Sequence, residues 1–408
     1  MSWTPVSLGE CIKIKHGFAF KSKYFSDSGE KVLLTPGNFF EKGGFRRRKE
    51  KDRYYAGDYP ASFELAENDL IVAMTEQGAG LLGSPAWIPG GETYLHNQRL
   101  GLIEVTDGSR LDKRFLYYLL NTRNVRAQIN ASATGTKVRH TAPERIYRVA
   151  VDIPCKATQR KIAETLTSYD KLIEVNKRRI ELLEESAQQL YKEWFVRFRF
   201  PGHEHVTITG GVPEGWGKST YDQISDTVGG GTPSTKVPDY WDGGDVVWFV
   251  PKDLTRNHSL VLLDSEKKIT ARGLEKSSAK LLPPNAIMMS SRASIGYFGL
   301  YDGVASTNQG FISVIPKREV TQMYLLHNLM SRKGEIIGLA SGTTYKEISK
   351  STFRRIEVLI PADALLEEFQ EFASDIISQV RVLKKQTDNL TKARDILLPK
   401  LMSGEIAV

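Results

Sequence analysis

The chain has 408 residues, 40% hydrophobic and 25% charged, a balance that excludes a disordered or low-complexity protein and leaves room for two or three cores. Its 56 lysines and arginines against 48 acidic residues leave a formal net charge of +8, which favours a polyanionic partner, although such a balance also occurs in proteins that never meet nucleic acid. Only Cys11 and Cys155 are present, the start MSWTPVSLGE lacks the apolar core of a signal peptide, and no apolar run approaches the ~20 residues needed to cross a bilayer, so the cytoplasm is the expected compartment.

From Trp3 to about Ile153, short strand-like runs (KVLLT, DLIVAM, LGLIEV) alternate with Gly, Pro and Asn clusters, followed by a helical segment near Arg114 to Asn124. A long amphipathic stretch then runs from Gln159 to Phe200. Its apolar residues Ile162, Leu166, Tyr169, Ile173, Ile180, Leu183, Ala187, Leu190 and Trp194 fall in steps of four and three, interrupted at Asn176. That spacing predicts a coiled-coil seam on one helix, uninterrupted by Gly or Pro until Pro201-Gly202. At ~1.5 Å per residue the helix is on the order of 60 Å long and needs a partner.

After the linker Pro201 to Gly211, the stretch from Pro213 to Ile360 repeats the earlier plan. Trp216 matches Trp3 and Gly230 matches Gly17 at one spacing. AIMMSS at Ala286 resembles DLIVAM at Asp69, and Asn308-Gln309 before an apolar run matches Asn97-Gln98. The helical RFLYYLLN at Arg114 recurs as MYLLHNLM at Met323. A second seam follows at Leu365, Phe369, Phe372, Ile376, Leu383, Leu390, Leu397 and Leu401, with Gln379, Thr387 and Arg394 as polar interruptions. Each long helix is preceded by a small polar loop (ASATGTK, ASGTTYK) and a proline-ended strand (RVAVDIP to Pro154, RIEVLIP to Pro361). The expected fold is α+β: two homologous mixed α/β globular domains (1–154 and 213–361) separated by two long helices (155–200 and 362–408) that form an antiparallel coiled coil. Residues 201–212 are the linker, and a pseudo-twofold axis relates the halves.

The run ELLEESAQQLYKEWFVRFRFPGHE from Glu181, the VPEGW at Val212, the paired proline-ended strands and the close LLPKLMSGEI at Leu397 together resemble the specificity subunit of type I restriction-modification systems, over essentially the whole chain. The resemblance implies two target-recognition domains, each reading half of a split, asymmetric site in double-stranded DNA. It implies helices that fix the gap and present two methyltransferase subunits, with motor-nuclease subunits joining the complex. No catalytic residue and no cofactor is then expected in this chain; S-adenosylmethionine, ATP and Mg belong to the partner subunits.

The residues themselves offer a DNA-binding set. The densest basic cluster, FRRRKEKDR, carries Arg46, Arg47, Arg48, Lys49, Lys51 and Arg53 and suits a loop laid along phosphates, or else a solvated charged loop. Thr75, Glu76 and Gln77, and Ser290, Ser291 and Arg292, follow equivalent strands. Gln spans adenine N6 and N7 and Arg spans guanine O6 and N7, while a turn role for Glu76 and Gln77 is equally open. Asn97-Gln98 and Asn308-Gln309 recur in both halves, so they are expected to serve the fold or a common backbone contact rather than to read different bases. Lys137 and Arg139, Tyr345 and Lys346, and Lys252 and Arg256 are further candidates for gripping phosphate. Asn176 and Gln379 are the amides that either fix the coiled-coil register together or are solvated breaks in it.

Enzyme motifs are weak. GVPEGWGKS departs from a phosphate-binding loop because Val212 stands where the pattern requires Gly and Pro213 removes an amide from the cradle, and His203 and His205 flank a glutamate in a linker. Asp239, Glu266 and Lys268 loosely match a metal-dependent nuclease pattern. A stand-alone nuclease and a coiled-coil protein adaptor are therefore the alternatives.

Overall fold

The structure, a computed structural model, describes residues 3–48, 51–76, 80–342 and 345–408. The chain divides into two compact units, Met1–Lys171 with Thr391–Val408, and Leu172–Leu390.

In the first unit, Thr4–Ser7 pairs antiparallel with Ala150–Ile153, Thr4 opposite Ile153, and so braces the strand that feeds the first long helix (Lys156–Tyr191). A four-stranded antiparallel sheet follows in the order Ile12–His16, Leu100–Val105, Leu70–Ala73 and Pro85–Trp87. Its inner strand LIVA is buried on both faces, as a strand without alternation must be. A second, five-stranded sheet holds Lys31–Leu33 parallel to Thr93–Leu95. The apolar faces of the helices Lys113–Leu120 and Arg123–Ala131 close the core, placing Phe115, Leu116, Val125 and Ile129 among Ile162 and Leu166 of the first long helix and Leu401 of the second (Asp363–Ser403).

The second unit repeats this plan. Gly217–Thr220 pairs antiparallel with Glu357–Ile360, and a four-stranded sheet runs Ser225–Gly229, Phe311–Pro316, Ile287–Ser290 and Phe298–Gly299. Trp248 and Ser306 face one another across a parallel pair. Equivalent glycines hold equivalent places in both units. A Cβ at Gly17 would lie 2.0 Å from the carbonyl oxygen of Asn97, and one at Gly230 2.1 Å from that of Thr307, so neither position admits a side chain.

Within each unit the long helices run antiparallel. In the first, the opening turns of one meet the closing turns of the other: Arg394 donates to Asp170 at 2.7 Å, and Asp170 also accepts from Tyr118 at 2.6 Å. In the second, Glu184 accepts from Ser259 and the amide of Leu260, beside Asn257, which meets Lys384. Seven residues beyond Glu184, Tyr191 packs on Phe369, fifteen residues before Lys384.

Two seam expectations need correction. In the first helix Ile162, Leu166, Ile173, Asn176, Ile180 and Ala187 are buried as the spacing requires. In the second, the buried three-four series is Leu366, Phe369, Ala373, Ile376, Val380, Leu383 and Thr387, with Ile377 buried beside it. Phe372 and Gln379 are exposed, so Gln379 is not a seam residue and cannot share a buried amide contact with Asn176. The adjacent apolar pairs Leu365/Leu366 and Ile376/Ile377 leave the phase open in the sequence, and packing chooses the one that keeps strict three-four steps. The first helix also ends differently from the expected continuous run to Phe200: a single π-turn spans Lys192–Val196. The wider turn brings both Trp194 and Phe195 into the core beside Tyr191.

Phe369 touches Tyr191, Trp194, Phe195 and His327, and Phe369→Ala is expected to cost about 3–5 kcal/mol of stability in denaturant unfolding. His327 is buried with neither ring nitrogen partnered among the described residues, and burial holds its pKa down at about 4, against an ordinary 6.5. As pH falls from about 6.5 to 4, the unfolded chain takes up a proton that the folded site refuses, so stability falls by about 2–3 kcal/mol. His327→Phe should flatten that part of the stability–pH curve, read from urea midpoints at several pH values.

Candidate functional site

The first unit carries a cleft of about 740 Å³ whose lining includes Arg48, Lys51, Arg53, Arg99, Thr35 and Thr75, with Asp27 as its carboxylate. The basic segment is organised by one buried acid, Asp52, which accepts from the Asn38 amide at 2.6 Å, from the Arg48 backbone at 2.9 Å and from the Arg47 guanidinium. Arg47 also donates to Glu92 at 2.6 Å, and that hydrogen bond raises its pKa further above the ordinary arginine range. Arg47 is therefore held between two acids rather than free. Arg46 is exposed, donates to the carbonyl of Gly37 at 3.0 Å and lies over the ring of Phe40. Arg53 is paired with Asp27. Lys51 is exposed and, like the guanidinium of Arg48, faces the cleft without an ion pair among the described residues. Lys49, Gln77 and Thr343 lie outside the described residues.

Thr75, a candidate for base readout, and Arg139, a candidate for phosphate, both have partners within the first unit. Thr75 is buried and hydrogen-bonds His140 at 3.1 Å. Arg139 donates to the buried Glu76 at 3.2 Å and to the side chain of Asn130 at 2.9 Å, while Glu76 also accepts from the Leu82 amide at 2.9 Å. Glu76 is thus the turn residue of the two open readings. Lys137 is exposed.

In the second unit a smaller cleft, about 310 Å³, is lined by Arg292, Asn308, Gln309, Gly310, Pro251 and Tyr345 among others. Ser291 is buried, and its amide donates to the Gly310 carbonyl at 2.8 Å. Arg292 beside it is exposed, 3.8 Å from Glu347 and over the ring of Tyr345. Ala293 adopts a left-handed backbone, φ 59°, at a cost of about 1–2 kcal/mol that its hydrogen bond to the Lys346 carbonyl helps offset. Lys252, Tyr345 and Lys346 are exposed, and Arg256 pairs with Glu266 at 3.2 Å.

The asparagines of the repeated Asn-Gln pairs serve the fold. Asn97 accepts from the Arg99 amide at 3.0 Å and Asn308 from the Gly310 amide at 2.9 Å, the same turn in both units. The nuclease trio is dispersed among other partners: Asp239 pairs with Arg272, Glu266 with Arg256 and Lys268 with Asp264. His203 and His205 both lie against Glu204. Among the described residues no group of three or more His, Cys, Asp or Glu is placed to hold a metal ion, and no helix is long and apolar enough to cross a membrane.

The family model described as type I restriction modification DNA specificity domain matches residues 1–185 and 213–392, once on each half of the repeat. The chain belongs to that family. It is 32% identical to the EcoR124I/EcoR124II specificity subunit of Escherichia coli over 90% of this chain and 84% of that one. It is 31% identical to the MjaIX specificity subunit of Methanocaldococcus jannaschii over 49% of this chain, a match that spans 46% of that relative. The specificity-domain fold is matched by the crystal structure of a type I S subunit from M. genitalium, with TM-score 0.64 and 16% identity over 98% of this chain and 96% of that one.

Within this specificity-domain fold, Asp52, Glu92 and Arg99 are the site residues that motif reading missed. The signal for Arg99 was available: it follows Asn97-Gln98 where the other half has Gly310 after Asn308-Gln309. Arg47→Ala leaves buried Asp52 short of a cation and is expected to cost about 2–4 kcal/mol, whereas Arg99→Ala at an exposed side chain should stay within about 0.5 kcal/mol. Denaturant melts of the two variants check the contrast.

Proposed function

We propose that this chain is the non-catalytic specificity subunit of a type I restriction-modification complex. Each globular unit reads one half of a split, asymmetric site in double-stranded DNA. The long helices set the gap between half-sites and carry two methyltransferase subunits, which use S-adenosylmethionine, and motor-nuclease subunits that use ATP and Mg join them. The assembly acts in the cytoplasm.

The observation that carries this reading is one frame used twice with different side chains displayed. The same sheet order, the same glycine approach and the same Asn turn recur, yet the clefts differ in size and in cations. A protein that read one sequence twice would have no need for that difference. The scattering of Asp239, Glu266 and Lys268 among separate ion pairs weighs against the nuclease reading. The adaptor reading leaves the basic cleft without a role.

Sequencing the modified bases of DNA exposed to the chain together with its methyltransferase partner should give two short half-sites at a fixed gap, whereas a continuous motif would refute the split reading. DNA cleavage by the chain alone with Mg²⁺, abolished by Asp239→Ala, would favour the nuclease. Replacing Arg48 and Lys51 together by Ala should weaken binding to all duplexes and flatten the salt dependence by about 0.9 for each phosphate no longer neutralised; affinity that is insensitive to salt would favour the adaptor.

A further inference from the structure

We propose that Arg99 is the specificity-determining residue of the first unit and reads a guanine in its half-site. This rests on the proposed reading of a split DNA site and goes beyond it by assigning one side chain to one base.

The backbone at this position is fixed at both of its polar groups. The amide of Arg99 donates to Asn97 at 3.0 Å, and its carbonyl accepts from the amide of Met74 at 3.0 Å. In the second unit the amide of Gly310 donates to Asn308 at 2.9 Å, and its carbonyl accepts from the amide of Ser291 at 2.8 Å. Gly17 and Gly230 press against these two loops from equivalent places. Positions 99 and 310 are therefore one site in two copies, held by the same bonds, and they differ only in what projects from them. A contact to the uniform phosphate backbone would be useful in both copies. A contact to a base has to differ when the half-sites differ.

The side chains fit that division. Arg99 is exposed, lines the first cleft, and its guanidinium has no ion pair or hydrogen bond among the described residues. Nearby Arg47 and Arg53 are engaged by Glu92 and Asp27. The fixed backbone limits where the fork can reach, and a guanidinium fork matches O6 and N7 of guanine in the major groove. At position 310 a Cβ would come within 2.9 Å of Pro251, so the second unit cannot carry the same reader, and its cleft offers Arg292 instead.

The experiment uses the full chain assembled with its methyltransferase subunits, as wild type, Arg99→Ala and Arg99→Lys, each presented with a randomised duplex library whose modified bases are sequenced. Both variants should lose about ten- to one-hundred-fold of discrimination at a single G·C position of one half-site, with the other half-site and the gap unchanged. Lysine keeps the charge but not the fork. If Arg99→Ala weakens all sequences alike and Arg99→Lys restores them, Arg99 is a phosphate contact and the proposal fails. It fails also if both variants keep the full motif, or if the relaxed position is not G·C. A wild-type complex without any split motif would instead sink the reading beneath it.

Discussion

The packing of the two long helices against the globular units is the constraint from which the rest follows. Neither helix is a rod attached to a finished domain. Ile162 and Leu166 complete the core of the first unit, and Tyr191, Trp194, Phe195 and Phe369 complete that of the second. An isolated helix with one apolar stripe gains little in water; here the stripe of each helix is shared between the other helix and the sheet-and-helix layer beside it. The recurring helices Lys113–Leu120 and Gln322–Ser331 make these joints, one through Tyr118 bonded to Asp170, the other through His327 packed on Phe369. The position held by Tyr118 in one unit and His327 in the other thus makes a polar contact in the first and an aromatic one in the second.

The charges follow a second economy. Much of the conspicuous basic sequence is neutralised internally: Arg47 by Asp52 and Glu92, Arg139 by Glu76, Arg256 by Glu266. A buried carboxylate such as Asp52 is costly unless it is paired and hydrogen-bonded, so the guanidinium beside it, that of Arg47, is committed to folding. The positive potential left for a ligand comes from side chains with no acid beside them, and these are fewer than the composition suggests. Net charge describes the chain, while pairing decides what reaches a partner.

Much of this architecture is legible in the sequence, because it is written in short-range periodicity and in one repeat. The four-three steps of Ile162, Leu166 and Ile173, the matched proline-ended strands and the duplicated Asn-Gln pairs all report local geometry that chain neighbours impose. What the sequence hides is set at long range. Arg47 meets Glu92 across 45 positions and Arg139 meets Glu76 across 63, and no spacing rule connects such pairs. The phase of the second seam is hidden for another reason: adjacent apolar residues at 365 and 366 satisfy two registers, and only contacts with the facing core exclude Gln379. Arg99 is marked in the repeat only by a mismatch, since it stands after Asn97-Gln98 where the other half has Gly310, and a reading of what the halves share passes over it.

The first unit is discontinuous in the chain, since its residues up to Lys171 are completed by Thr391–Val408. In a polypeptide made from its amino end, every residue of the second unit emerges before that closing segment. At ~5–20 residues per second the wait is on the order of ten seconds or more, with Ile162 and Leu166 short of their full covering throughout. The later-made unit can therefore reach its folded form first, although its residues leave the ribosome last but for that closing segment.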